Sequence, residues 1–203
     1  MVKLKHIIQT RLLSCDMGGG LNLLDAKLIE RRIGYMMRNL VPSLNNQTNM
    51  DFEFMLLINP IWNVTQLYDL QRKFECLDLG FKYRFVPHDW CVDDYLIGVW
   101  DKNDIVILTR IDDDDFANKF SVQDTRDVLK DNPDSDIVLC GYNSGYKLLL
   151  GQEGPILDRY YGKRQETGGH HSVFQSAIIN THKVKNYNRK LCPLFCNHTK
   201  TMQ

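Results

Sequence analysis

The sequence has no excess of either charge and no long apolar run. Lysine plus arginine number 25, aspartate plus glutamate also number 25, and the net charge is zero. Because proteins that bind a phosphate backbone usually carry a basic excess, nucleic acid is not an expected partner. No apolar stretch approaches the ~20 residues needed to cross a bilayer, and polar residues 9–11 interrupt the apolar start, unlike a signal peptide. These absences predict a soluble, cytoplasmic protein.

Common metal and phosphate motifs are also missing. The six cysteines are scattered without a C-x-x-C pair, which predicts reduced, structural thiols rather than a zinc site. The glycine-rich stretch at residues 17–22, MGGGLN, matches neither G-x-G-x-x-G nor the P-loop spacing. It is read either as a flexible loop or as backbone that approaches a phosphate.

Apolar periodicity predicts strands and helices that alternate along the first part of the chain. Such alternation favours one α/β domain over residues 1–203, with a mostly parallel sheet, flanking helices and right-handed crossovers. The run DIVILT has hardly a polar residue and predicts a central strand covered on both faces. The predicted strands are 5–13, 51–60, 81–87, 104–109 and 136–142, and the predicted helices are 23–41, 64–80, 92–100 and 116–133.

Several boundaries depend on single residues. Pro42 is expected to end the first helix and Gly80 the second. Beyond Gly141 the pattern predicts a pair of edge strands with a mobile loop, and residues 172–184 resemble a helix.

Four consecutive aspartates, Asp112–Asp115, directly follow the most apolar strand. Ligands of open α/β sheets collect at the carboxyl ends of the strands. If the chain stays extended there, Asp112 and Asp114 point one way and their neighbours the other. Two such carboxylates are hard-oxygen ligands for Mn²⁺ or Mg²⁺. The alternative is structural, since aspartates before a helix complement its dipole or cap it.

Two blocks resemble a known family. The stretch TRIDDDDFANKF is similar to the TRLDDDDAL stretch of the rhamnosyltransferase family, whose fold is of the GT-A glycosyltransferase type. Residues 30–60 resemble that family's arginine-bearing helix, followed by PSL, QT and an aromatic strand. The chain is also similar to small glycosyltransferases of large algal viruses. The resemblance covers roughly residues 5–140 and implies a single GT-A-like domain, with a Rossmann-type sheet.

The resemblance implies a D-x-D motif that holds a divalent ion against the diphosphate of a nucleotide sugar. Carried over, Asp114 is a metal ligand and Asp112 contacts ribose or metal. Asp113 is assigned to the donor sugar and to the catalytic group. Asp115 is expected to cap the following helix.

The same resemblance gives roles to residues outside the motif. Thr10 and Arg11, at the end of the first strand, are expected to contact the nucleotide. Arg110 either pairs with the carboxylates when metal is absent or touches the donor. His198, in FCNHTK, resembles a histidine that completes the metal shell in GT-A enzymes.

The acceptor side is expected within residues 141–203, and the nucleotide-sugar side within residues 1–140. A transfer that inverts the sugar needs a base near the acceptor hydroxyl. Glu166, His170 and His171 lie in the glycine-flanked stretch KRQETGGHHSVF, which is typical of a mobile active-site loop.

The predicted activity is metal-dependent transfer of a sugar, with rhamnose suggested by the family alone. The donor is a UDP- or dTDP-linked sugar, and the acceptor is a glycan, a glycoprotein or another hydroxyl compound. A sugar-nucleotide nucleotidyltransferase would be expected to carry an early glycine-rich signature with a lysine, which MGGGLN lacks. A phosphatase with an aspartyl nucleophile would carry a threonine that DDDDF lacks. A non-catalytic carbohydrate-binding module would bind sugar regardless of nucleotide and Mn²⁺.

Overall fold

The fold is built on a six-stranded sheet whose strand order is β3-β2-β1-β4-β8-β5. A computed structural model of the protein describes residues 2–13, 25–60, 62–87, 90–141, 144–151, 154–161 and 174–184. The strands are β1 Leu4–Leu12, β2 Glu53–Ile58, β3 Lys82–Pro87, β4 Ile105–Arg110, β5 Ile137–Cys140, β6 Ser144–Gly151, β7 Gly154–Tyr161 and β8 Gln175–Asn180. The helices are α1 Ala26–Tyr35, α2 Val41–Asn45, α3 Val64–Glu75, α4 Trp90–Trp100 and α5 Ser121–Asp131, with a π-helical segment Met36–Leu40 between α1 and α2.

Strands β1 to β4 run parallel, so their carboxyl ends meet at one edge of the sheet. Strand β8 is antiparallel to both β4 and β5. The predicted class, an α/β fold with a mostly parallel sheet between helices, is confirmed. Strand β4 is central, as predicted, because it lies between β1 and β8.

Apolar side chains cover both faces of the sheet. One core cluster joins strand residues such as Ile8 and Phe54 to Ile33 of α1 and Phe74 of α3. The cluster on the other face joins strand residues to Leu96, Val99 and Trp100 of α4. Burial on both faces explains why β2 and β4 are nearly continuous apolar runs rather than alternating ones. Within the described residues, no helix has the length and apolar character needed to span a membrane.

The first helix does not end at Pro42, contrary to the prediction. It widens into the π-helical segment, where the Val41 N–H donates to the Met36 carbonyl, and continues as α2. Because a proline ring clashes with the carbonyl four residues earlier in an α-helix, a wider turn just before Pro42 removes that conflict. The second predicted boundary is also wrong, since α3 ends at Glu75, before Gly80.

The prediction of a helix over residues 172–184 is wrong, because this segment contains β8. Its residues Ser176–Ile179 are buried on both faces between β4 and β5. A short apolar run without alternation is compatible with either element, and the neighbouring strands decide it. The predicted pair of strands after Gly141 is present, but β6 and β7 form a separate two-stranded sheet.

Candidate active site

The aspartates Asp112–Asp115 form a turn at the carboxyl end of β4. The Asp115 N–H donates to the Asp112 carbonyl over 3.1 Å. The chain does not stay extended here, so the condition under which the side chains of the aspartates would alternate is not met. The expectation that Asp115 caps the next helix is also wrong, since α5 begins at Ser121 with Phe120 in the N-cap position.

Strand β1 fixes the residue that leads into this turn. The Ile111 N–H donates to the Gln9 carbonyl over 3.1 Å, and the Thr10 hydroxyl donates to the Ile111 carbonyl over 2.9 Å. Thr10 is fully buried, so its described role is to hold the base of the turn. A contact between Thr10 and the nucleotide stays a prediction, and it would require this hydroxyl to become accessible.

Arg32 of α1 binds two of the four aspartates. Its Nε donates to Asp113 Oδ2 over 2.8 Å, and its Nη2 pairs with the other oxygen of the same carboxylate. Its Nη1 donates to Asp114 Oδ2 over 2.9 Å. The planar guanidinium thus makes a two-bond fork on Asp113 and one further bond to Asp114, which a lysine ammonium could not reproduce.

The two aspartates bound by Arg32 differ strongly in exposure. The side chain of Asp113 is 1% exposed and that of Asp114 is 49% exposed. Burial raises the pKa of Asp113 to about 6, although the hydrogen bond from Arg32 opposes that rise. Burial, together with the charges of Asp112 and Asp114, also raises the pKa of Asp115 to about 6. Burial is the main cause of both shifts, and the neighbouring carboxylates add to that of Asp115.

Arg110, the last residue of β4, neutralises part of the remaining charge. Its Nη2 lies 3.0 Å and its Nε 3.2 Å from Asp112 Oδ1. Pairing with the carboxylates was one of the two alternatives predicted for Arg110. Arg11 is half-buried near the end of β1, in register with Leu57 of β2. Its contact with the nucleotide stays a prediction.

The segment after the aspartates is attached to the end of α2. The Ala117 N–H donates to Ser43 Oγ over 3.0 Å. Gln47 bridges the same segment, because its Nε2 donates to the Asn118 carbonyl over 2.8 Å and its Oε1 accepts from the Val122 N–H over 3.1 Å. These contacts give a physical reason for the PSL and QT pattern, which holds the aspartate-bearing loop against the helix.

Arg32, Ser43 and Gln47 were not predicted as site residues. Arg32 lies 81 positions from Asp113 in the sequence. When a helix contains several arginines, the sequence does not show which of them pairs with a distant carboxylate. The signal that could have found all three is the second family block, in which an arginine-bearing helix precedes PSL and QT.

The partly exposed carboxylates of Asp112 and Asp114 are suitable ligands for a hard divalent cation. The side chains of Asp112 and Asp114 are 37% and 49% exposed and offer carboxylate oxygens. Among the described residues, no group of three or more histidines, cysteines or acidic residues converges as a metal site. Mg²⁺-type cations commonly take one or two protein carboxylates and fill their shell with water and substrate phosphate. The donor set suits a cation that arrives with its substrate.

Four predicted residues lie outside the part of the chain that the structure describes. They are the acceptor-side residues Glu166, His170 and His171, and the proposed metal ligand His198. Their roles stay predictions.

Solved structures resemble the chain only weakly. Residues 1–349 of TarS from S. aureus in complex with UDP-GlcNAc give a TM-score of 0.38 and 18% identity, covering 70% of this chain and 35% of that one. HddC from Yersinia pseudotuberculosis gives a TM-score of 0.34 and 10% identity, covering 93% of this chain and 81% of that one. The chain thus spans about a third of the TarS structure. No curated protein matches the sequence significantly.

A family match covers most of the chain and includes the aspartate turn. The family described as "Putative rhamnosyl transferase" matches residues 21–177. That span contains Arg32, the PSL and QT block, and the aspartate turn, so the residues that converge in space are those on which the resemblance rests. The chain therefore belongs to this rhamnosyl transferase family.

Proposed function

We propose that the protein is a glycosyltransferase that uses a nucleoside-diphosphate sugar bound at the aspartate turn. One observation supports this most: a D-x-D turn lies at the carboxyl edge of a parallel sheet in a chain of the rhamnosyl transferase family. That edge is where open α/β sheets bind their ligands. The donor is a UDP- or dTDP-linked sugar, with rhamnose favoured by the family.

Asp112 and Asp114 would hold a divalent cation, Mn²⁺ or Mg²⁺, through their exposed oxygens. When bound, the cation would neutralise the diphosphate that leaves as the glycosidic bond breaks. Asp113 anchors Arg32 and thereby fixes the turn. A direct contact between Asp113 and the donor sugar, as well as its catalytic assignment, would require Arg32 to release this carboxylate.

The remaining roles are assigned within one proposed domain, residues 1–203. Arg11 and Arg110 would bind the nucleotide or its phosphates from the ends of β1 and β4. Residues 141–203 would serve the acceptor, a glycan or another hydroxyl compound. Glu166 and His171 are the candidates for the base, and His198 for a further metal ligand.

A panel of nucleotide sugars with and without Mn²⁺ tests this proposal, with released nucleoside diphosphate as the readout. We expect Mn²⁺-dependent release from at least one UDP- or dTDP-sugar. Formation of pyrophosphate from a nucleoside triphosphate and a sugar phosphate would instead identify a nucleotidyltransferase. Sugar binding that ignores nucleotide and Mn²⁺ would identify a binding module and contradict the proposal.

A further inference from the structure

Arg32 makes two contacts of very different strength. Its fork on Asp113 joins a side chain that is 1% exposed to a guanidinium that is 19% exposed. Its single bond to Asp114 reaches a carboxylate that is about half exposed. The same cation therefore has one partner inside the protein and one at the surface.

These two contacts should respond differently to a competing cation. Breaking the buried fork would leave Asp113 charged, desolvated and unpaired, which is strongly unfavourable. An exposed single ion pair contributes little, because water and salt screen it. Asp114 is thus the carboxylate that Arg32 can release at small cost.

The ion pairs of the turn point the same way. Among the described contacts, Arg110 pairs with Asp112, whereas Arg32 pairs with Asp113 and Asp114. Arg32 is therefore the described cation that a metal ion would have to displace in order to bind Asp114.

We propose that Arg32 is a positioning residue that serves as the resident counter-cation of the turn. It keeps its fork on Asp113 and gives up Asp114 when a divalent cation binds there. The inference rests on the proposed function, because it assumes that Asp114 is a cation ligand.

This exchange predicts the sign of a substitution effect. If Arg32 competes for Asp114, removing its charge should tighten divalent binding. If Arg32 only maintains the shape of the turn, its loss should weaken binding instead. The direction of the change therefore separates competition from a purely structural role.

The test is a Mn²⁺ titration without nucleotide at pH 8, followed by electron paramagnetic resonance. We expect Arg32→Gln to bind Mn²⁺ about 3- to 10-fold more tightly than the wild type, since one positive charge beside the ion is lost. Arg32→Lys keeps the charge and should stay within about 2-fold of the wild type. Arg31→Gln, an exposed neighbour on the same helix, is the matched control and should also stay within about 2-fold.

Weaker or unchanged binding by Arg32→Gln overturns the inference, as does a wild-type protein that binds no Mn²⁺ at millimolar concentration. If Arg32→Gln does not fold, nuclear magnetic resonance of the wild type replaces it. On adding Mg²⁺, the Arg32 Nε–H should remain protected by Asp113 while the Asp114 carboxyl resonance shifts. Loss of that protection contradicts the inference.

The outcomes also separate this inference from the proposed function. The expected Mn²⁺ pattern without any sugar transfer would keep the inference and remove the proposed function. Sugar transfer by a wild-type protein that binds no Mn²⁺ would keep the proposed function and remove the inference.

Discussion

The amino and carboxyl ends of the parallel strands carry two different ionic clusters, here called the amino edge and the carboxyl edge of the sheet. At the amino edge, the single carboxylate of Glu53 accepts from Lys5 Nζ at 2.5 Å, Arg84 Nε at 2.9 Å and the Tyr95 hydroxyl at 2.8 Å. Burial alone would raise the pKa of Glu53, but these three hydrogen bonds lower it to about 2. Two cations and one hydroxyl group thus stabilise the ionised form of this carboxylate.

At the carboxyl ends of the strands, the described ion pairs join Arg32 to Asp113 and Asp114 and Arg110 to Asp112, and burial raises the pKa of Asp113 to about 6. The Glu53 cluster joins β1, β2, β3 and α4, which favours a structural role. The aspartate turn presents partly exposed carboxylates where open α/β sheets bind their ligands, which supports the proposed function there.

The largest expected effect comes from Asp114→Asn, which removes one carboxylate of the aspartate turn and leaves the Glu53 cluster intact. We expect sugar transfer, measured as kcat/KM, to fall about 100-fold or more, because a metal ligand at the leaving diphosphate is lost. Thermal stability should change little, since Asp114 is half exposed. Asp127→Asn is the matched control, because Asp127 is 48% exposed and also pairs with one cation, Lys130. Equal activity of the two variants would contradict the assignment.

Glu53→Gln should have the reverse profile. We expect the free energy of unfolding at pH 7 to fall by about 2–3 kcal/mol, since a buried carboxylate with charged donors is replaced. Transfer activity should be retained while the protein is folded. Urea unfolding measures the loss, and Glu75→Gln, on the exposed end of α3, is the control. A larger loss of activity than of stability would show that the amino edge is not purely structural.

Gln47→Met tests the attachment of the aspartate-bearing loop to α2. The substitution keeps the side-chain length but leaves the Asn118 carbonyl and the Val122 N–H without their partner. We expect a loss of about 1–2 kcal/mol in unfolding free energy and a modest drop in activity. Gln71→Met, on the exposed surface of α3, should leave both nearly unchanged. Equal behaviour of the two variants would show that Gln47 does not hold the loop.

The smallest expected effect is a difference in pH dependence. The folded-state pKa of Asp115 is about 6 against an ordinary 3.8, so the folded protein binds more protons between these values. Its contribution to stability is therefore present below about pH 4 and lost as the pH rises to about 6. Asp115→Asn should flatten this decline by about 1 kcal/mol.

The contribution of Glu53 to stability changes with pH in the opposite direction. Its contribution is present above its ordinary pKa of 4.5 and is lost as the pH falls towards 2. Urea unfolding of wild type, Asp115→Asn and Glu53→Gln at several pH values checks both directions. Parallel pH profiles for all three proteins would contradict the contrast between the two edges.

The sequence predicted the elements whose signal is local. Strands β2 and β4 are nearly continuous apolar runs, and the aspartates stand next to one another, so both were found at the right places. Strand β8 was predicted as a helix because its neighbours β4 and β5, rather than its own pattern, make it a strand. The end of the first helix was wrong because a π-helical turn accommodates Pro42.

The chemistry of the site was less predictable than its position. The turn after β4 and the pairing of Arg32 with Asp113 depend on contacts between distant parts of the chain. The predicted contact between Thr10 and a nucleotide stays a prediction, and the described partner of its hydroxyl is the Ile111 carbonyl. A polar residue at a strand end does not reveal whether its partner is a ligand or the protein itself.

The most direct measurement of the central claim is calorimetric titration of UDP- and dTDP-sugars into the wild type, with and without Mn²⁺, and into Asp114→Asn. The account predicts binding of at least one nucleotide sugar that requires Mn²⁺ and is lost in Asp114→Asn, while Asp127→Asn binds like the wild type. Nucleotide-sugar binding with the same affinity in the absence of Mn²⁺, or unchanged in Asp114→Asn, would contradict it.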